Sequence, residues 1–295
     1  MGFRLGRFLI TRYKVFSPKI KEPLSLCVLA DLHECTFGKG NCRLLDTVTK
    51  LKPDIVVIAG DLINAEPGGN AEETMAFLRR LSRRFPVFFA PGNHEHKVYK
   101  KKYFLSQMER LNLGLRKAGV KLFRNESRII PEAGVKLSGL DLDRIYYRKL
   151  VRRRIPPGLI LKLLGHPDAE RFHILVAHNP EHFDAYSRYG CDLVLSGHVH
   201  GGIIRLPFLG GVISPTLTLF PKYDGGIYLK GRTGMIVSRG LGSHTINIRI
   251  NNPPELLMLY LRPSENREGT TKILPEKRTR RLLRNRKKHA SGNKT

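Results

Sequence analysis

The 295-residue sequence predicts one large α/β domain built on a largely parallel β-sheet. Three observations carry that prediction. Five short runs, 26–30, 55–59, 87–90, 174–177 and 193–196, are apolar throughout instead of alternating, as strands covered on both faces are. Stretches with helical spacing of apolar residues separate the first three runs, as βαβ crossovers require. Each run then ends abruptly in residues that include Asp, Asn or His, at the strand edge where open α/β sheets bind ligands.

Taken in order, residues 1–23 are basic and hold an edge strand near 10–15, with Pro18 and Pro23 before the first core strand. That strand, 26–30, runs into Asp31-Leu32-His33, and 34–40 is a loop. Asn41 is placed to cap a helix whose inner face carries Leu44, Leu45 and Val48. Strand 55–59 delivers Gly60-Asp61; 66–69 is a turn, and 71–84 a helix with Met75, Leu78 and Leu81 inward. Strand 87–90 leads to Gly92-Asn93-His94-Glu95, a helix spans 102–118, and two or three short strands fill 120–140.

Residues 143–167 break this rhythm. Arg144, Arg148, Lys149, Arg152, Arg153 and Arg154 crowd with Tyr146 and Tyr147 before Pro156-Pro157-Gly158. They form a candidate rim or lid able to clasp phosphate or stack on a base or sugar; a plain exposed surface is the competing reading. Strand 174–177 runs into His178-Asn179-Pro180, followed by a short helix at 181–189. Strand 193–196 runs into Gly197-His198-Val199-His200-Gly201-Gly202. The Gly- and Pro-rich stretch to 234 holds loops and short strands, and 235–238, 246–250 and 256–261 read as three closing antiparallel strands.

A net charge of +27 points to an acidic partner: a phosphate substrate, nucleic acid or an anionic membrane surface. The competing reading is a solvated basic face. Composition places the domain at 1–263. Residues 264–295 are polar and then strongly basic, a tail that cannot bury a core and is expected to be disordered unless a polyanion binds it. Cys27, Cys35, Cys42 and Cys191 show no CxxC spacing; Cys27 and Cys191 fall in strands as small buried hydrophobes, and only Cys35, near His33, suggests metal or redox chemistry. The N-terminal apolar run is too short for an export signal, and nothing reaches the ~18 apolar residues of a membrane span. The expected location is the cytoplasm, with room for peripheral attachment to the inner membrane face.

The strand-end residues carry the chemistry. A lone His is more often structural than ligating, but Asp31, His33, Asp61, Asn93, His178, His198 and His200, all at ends of one edge, form a donor set for metal. Phosphoester hydrolysis needs a nucleophile at neutral pH and charge stabilisation of attacking and leaving oxygens, which two divalent ions supply. Asp61 is the expected bridge. Asp31, His33 and His200 are the expected ligands of one ion, and Asn93, His178 and His198 of the other. Imidazole, carboxylate and amide oxygen together suit Mn, Fe or Zn. Glu95 is expected to orient its neighbours instead of binding metal. His96, His166, His173, His182 and His244 stay structural, with His244 the one nearest in motif to the substrate.

The order Asp-x-His, Gly-Asp, Gly-Asn-His-Glu, His, Gly-His-x-His resembles the calcineurin-like metallophosphoesterase superfamily over residues 24–261. Gly-His-Val-His-Gly-Gly, Arg205-Leu206-Pro207 and Arg239-Gly240-Leu241-Gly242 look like a bacterial branch of it. The resemblance implies a metallo-dependent phosphatase-like fold, a four-layer α/β/β/α sandwich with two mixed β-sheets. It implies a dimetal phosphoester hydrolase, a phosphodiesterase ahead of a monoesterase, in which a water bridging the metals attacks phosphorus in line. His94 then protonates or stabilises the leaving oxygen. Two positions depart from the pattern: Asn64 stands where a second Asp is common, and Ile203 where Gln is common. The alternative from a different class is a nucleic-acid- or anionic-membrane-binding protein in which the metal centre is secondary.

Overall fold

The unbroken apolar runs belong to strands sandwiched between two other layers. The computed structural model describes residues 6–64, 71–100, 112–148, 153–206, 209–213, 218–243, 248–264 and 271–276. In chain order its strands are Leu9–Ser17 (β1), Leu24–Leu29 (β2), Ile55–Ala59 (β3), Val87–Ala90 (β4), Lys121–Leu122 (β5), Glu126–Ile130 (β6), Val135–Leu140 (β7) and Phe172–Ala177 (β8). They continue with Leu193–Ser196 (β9), Ile204–Leu206 (β10), Gly210–Ile213 (β11), Gly226–Lys230 (β12), Thr233–Val237 (β13), Glu255–Pro263 (β14) and Lys272–Pro275 (β15). The helices are Cys42–Leu51 (α1), Ala71–Ser82 (α2), Asn93–Lys100 (α3), Leu159–Leu164 (α4) and Phe183–Tyr189 (α5).

One sheet has the order β15-β1-β14-β2-β3-β4-β5 and the other β12-β13-β9-β8-β7-β6. Both are mixed. β2 through β5 are parallel, whereas β14 runs against β2. β7, β8, β9 and β13 are parallel, flanked by antiparallel β6 and β12. The period of two divides each run between two cores. Val56 and Ile58 pack with Leu44, Val48, Phe77 and Leu81 of α1 and α2, while Val57 and Ala59 join Ile174, Val176, Leu195 and Ile236 between the sheets. On the far side Leu175, Val194 and Met235 meet Ile160 of α4 and Phe183 and Tyr186 of α5. Three apolar interfaces make four layers, α/β/β/α. Each buried Leu, Ile or Phe contributes about 1.5–3 kcal/mol to that stack.

Several expectations change. The three closing strands do not form an antiparallel set. β13 lies in the second sheet, parallel to β9, and β14 in the first, between β1 and β2. Residues 248 and 249 are outside any strand, and Ile250 makes a single bridge to Ile204. Alternation shows which face of a strand is buried but not which sheet holds it. Here the chain crosses between sheets behind Asp31, with the Leu241 and Gly242 N–H groups donating to the Ala30 and Asp31 carbonyls. Asn41 precedes α1 without capping it; its Oδ1 accepts from the Phe37 N–H and so closes the preceding loop. The expected edge strand, β1, is covered by β15, which falls within the stretch assigned to the tail. Ile273 explains this, because it packs on the intersheet core while β15 satisfies the free edge of β1.

The turn at 66–69, most of the helix at 102–118, Lys149 and Arg152 of the rim, His244 and the basic run 277–288 lie outside the described residues. Cys27 and Cys191 are buried and Cys42 is exposed, and all four cysteines are free. Among the described residues no helix is long and apolar enough to cross a membrane.

Candidate metal centre

The backbone at the strand ends is bent into an uncommon conformation. Asp31, His33, Asp61, His198 and His200 all have positive φ, at 50°, 48°, 53°, 73° and 55°. Left-handed residues other than Gly cost roughly 1–2 kcal/mol each and persist only where the surroundings hold them. Here the ladder between β2 and β3 continues past the strands, Asp31 N–H donating to Gly60 O (3.1 Å) and His33 N–H to Asp61 O (3.0 Å). The His198 N–H donates to Asp31 Oδ1 (2.9 Å), tying the β9 loop to the β2 loop. Gly60 has φ +83°, and a Cβ there would collide with the His178 ring and Gly92 Cα.

Six of the seven candidate ligands, Asp31, His33, Asp61, His178, His198 and His200, converge. His33 Nε2 lies 3.2 Å from His200 Nε2, and His200 Nε2 is 3.6 Å from Asp31 Oδ1. Asp61 Oδ2 stands between His33 Nε2 (3.7 Å) and His178 Nε2 (3.0 Å). Donor atoms of Asp31, His33 and His200 lie within 4.8 Å of one another, as do those of Asp61, His178 and His198. The same spacing holds for His33, Asp61 and His94. Asn93 opens α3, and its Oδ1 is buried without a hydrogen-bond partner. So are Asp61 Oδ2 and His178 Nε2, which face each other out of hydrogen-bond alignment.

Neighbouring groups aim these atoms. His178 Nδ1 lies 2.8 Å from the Ala59 carbonyl and His200 Nδ1 3.2 Å from that of Gly242. A carbonyl only accepts, so each Nδ1 carries a proton and each Nε2 is the ring nitrogen left facing inward for a metal to take. His94 is fixed likewise, with Nδ1 at 3.0 Å from Asn64 O, while its N–H donates to Asp61 Oδ1 (2.8 Å). Asn64, at the departure from the family pattern, also donates from Nδ2 to His33 O (2.9 Å). Glu95 is fully buried and accepts from the N–H groups of Gly92 (2.8 Å), Asp61 (3.0 Å), Leu62 (2.9 Å) and Ile63 (3.4 Å), so it shapes the loop that presents Asp61.

The electrostatics suit a cation. Burial pushes the Asp31 carboxyl up to about 7, with His178 partly offsetting it. Burial and the Asp61 charge push Glu95 up to about 7. Burial also opposes charge on Asp61, but His178, His94 and His33 outweigh it and hold that carboxyl well below its usual range. Burial opposes charge on His178 as well, yet Asp61 and Asp31 raise it to about 10. Asp31 and Glu95 are thus drawing protons for want of positive charge, and the unpaired Asp61 Oδ2 and His178 Nε2 face each other. That donor set fits divalent metal ions.

Three further features surround this centre, of which Tyr147 lies in the expected rim and Asn252 and Arg249 carried no sequence signal of their own. Tyr147, in the turn Arg144–Tyr147, places its ring 5.6 Å from that of His198 and 6.2 Å from that of His178. This part of the expected rim does stand over the centre, with Arg144 and Arg148 exposed beside it. Asn252 Nδ2 donates to the carbonyls of His200 and Gly202, both at 2.6 Å, from what reads as a simple Asn-Pro turn. Arg249 reaches the Gly242 carbonyl that orients His200. Cys35 is buried with its thiol toward Ser243 O (3.8 Å) and is in none of the donor groups. His96 pairs with Asp141, His173 with Ser138 (2.8 Å), and His182 with Tyr146 O (2.9 Å).

The family model described as calcineurin-like phosphoesterase matches residues 24–202. The chain is 30% identical over 227 residues to the uncharacterized metallophosphoesterase YkuE of Bacillus subtilis, spanning 73% of this chain and 70% of that protein. It is 26% identical over 261 residues to the phosphodiesterase YaeI of Escherichia coli, spanning 87% and 89%. An uncharacterized metallophosphoesterase of Aquifex aeolicus is 31% identical over 220 residues, spanning 73% and 75%.

Proposed function

The chain belongs to the calcineurin-like phosphoesterase family, and on that premise we propose that it hydrolyses a phosphodiester with two divalent cations, Mn, Fe or Zn. In this reading Asp31, His33 and His200 hold one cation, Asn93, His178 and His198 the other, and Asp61 both. The observation that carries it is Asp61 Oδ2, buried between His33 Nε2 and His178 Nε2 with no hydrogen-bond partner. Two divalent ions, when bound, supply a nucleophile at neutral pH and neutralise charge on the attacking and leaving oxygens. The likeness to an E. coli phosphodiesterase supports the diester preference.

The chain's own groups divide the remaining work. Asp31 and Asp61 return only two negative charges to the cations and leave a positive surplus for an anionic substrate. Because Asn64 O occupies His94 Nδ1, the proton His94 exchanges is the one on Nε2. His94 therefore serves the leaving oxygen, although its spacing to His33 and Asp61 is also that of a ligand. His94→Ala is expected to keep its metal and lose about 10²-fold in kcat on a diester with a poor leaving group, and less on an aryl diester. Loss of metal from this variant, measured by elemental analysis, would make His94 a ligand instead.

The function is tested with a panel of phosphoesters on Mn-loaded protein. Diesters are expected to turn over faster than the matching monoesters, and chelation is expected to abolish both activities. Monoester preference would refute the diester reading, and active protein free of metal would refute the metal centre.

A further inference from the structure

Eleven large apolar side chains stand exposed among the described residues, and five of them gather on one small sheet: Leu206, Leu209, Leu219, Phe220 and Ile250. β10 and β11 form its hairpin. Ile204 bridges to Ile250 and Ile213 to Leu219, and the Phe220 N–H donates to Val212 O (2.8 Å). Leu209 and Phe220 are 66% and 61% exposed, and with Leu206 they line an open cavity of about 660 Å³. From 203 to 220 the sequence carries a single charge, Arg205, which Asp224 neutralises at 2.9 Å. The exposed Lys222 lies beside the cavity. A monomer in water gains nothing from displaying such a cluster, so it marks a docking face.

Charge decides what docks there. Each chain carries +27, so a second copy would bring two strongly cationic bodies together. A neutral apolar tip on a strongly basic body instead matches an anionic lipid bilayer, where apolar insertion and attraction to headgroups add. We propose that the β10–β11 sheet seats the protein on anionic membrane, through insertion of Leu206, Leu209, Leu219 and Phe220. This differs from attachment by the basic tail, since it places apolar side chains below the headgroups. It is also independent of the metal chemistry, although only Gly201 and Gly202 separate His200 from the sheet's first residues.

The chain contains no Trp, so Phe220→Trp gives the full-length protein a single fluorescent reporter on this face. Titration with phosphatidylcholine/phosphatidylglycerol vesicles is expected to shift its emission to the blue, and bromine-labelled acyl chains are expected to quench it. Pure phosphatidylcholine is expected to do so weakly. In co-sedimentation, Leu209→Asp/Phe220→Asp is expected to partition about tenfold or more weakly than wild type. Sedimentation with the anionic vesicles without a blue shift would assign binding to the tail and overturn the proposal, as would no sedimentation at all. A blue shift that grows with protein concentration in the absence of lipid, with doubled mass in light scattering, would make the face a self-association surface and equally overturn it.

Discussion

Asp61→Ala is expected to strip metal from the protein and lower kcat/KM by about 10³-fold or more, the several kcal/mol that a Lewis-acid centre supplies. Asp61 Oδ2 and Asp31 Oδ1 both face imidazoles proposed for the two cations, but Asp31 Oδ1 already accepts the His198 N–H, whereas Asp61 Oδ2 has no hydrogen-bond partner. Without it, two divalent ions repel each other with no anion between them. Asp61 Oδ1 also accepts the His94 N–H, so the substitution loosens the start of α3 as well. Asp61→Asn separates the two effects: it keeps the shape and an acceptor for His94 but loses the charge, and is expected to hold less than the full metal content. Metal per chain and turnover should be measured on both variants, with melting curves taken in chelator as the folding control. Full metal and full turnover in Asp61→Ala would remove Asp61 from the mechanism. Metal affinity should also rise with pH, because His178 is protonated up to about 10 beside Asp61 and must release that proton to ligate.

The part of this centre that could be read in the sequence is the part dictated by residue type. Strands buried on both faces must be apolar without a break, so the points where they stop are visible, and the chemistry requires Asp, Asn and His there. That is why Asp31, Asp61, His178 and His198 can be found without a structure. The conformation that turns them inward cannot, because positive φ at five non-glycine residues comes from contacts made by distant segments, such as Asp31 with the His198 N–H. Glu95 could be set apart from the ligands, but not its four backbone donors, which come from the loops after β3 and β4. Sheet membership failed for β13 and β14 because the crossing behind Asp31 uses short Gly turns like those of hairpins. β15 was hidden because a four-residue strand inside a polar, basic stretch has no compositional signal of its own.

Among stability effects, the largest is expected from Arg239→Ala, about 3–5 kcal/mol of destabilisation. Arg239 Nη2 donates to Glu255 Oε1 at 2.6 Å, and the two side chains are 8% and 4% exposed. Thr11 of β1 donates to the same oxygen (2.5 Å) and the Arg239 N–H to Oε2 (3.1 Å), so Glu255 joins β1, β14 and the crossing that backs Asp31. Burial disfavours charge on Glu255, but Arg239 outweighs it and holds the carboxyl below its usual range. With the folded pKa below the unfolded one, the wild-type pair stabilises above the ordinary glutamate range and loses that contribution as pH falls through the folded value. Removing Arg239 leaves burial in command, so the folded pKa of Glu255 rises above the unfolded one. The variant should then lose stability as pH rises, the opposite slope. Urea denaturation in chelator across the acid to neutral range reads both slopes without interference from bound metal. An unchanged midpoint, or slopes of the same sign, would show that this buried pair does not hold the crossing in place.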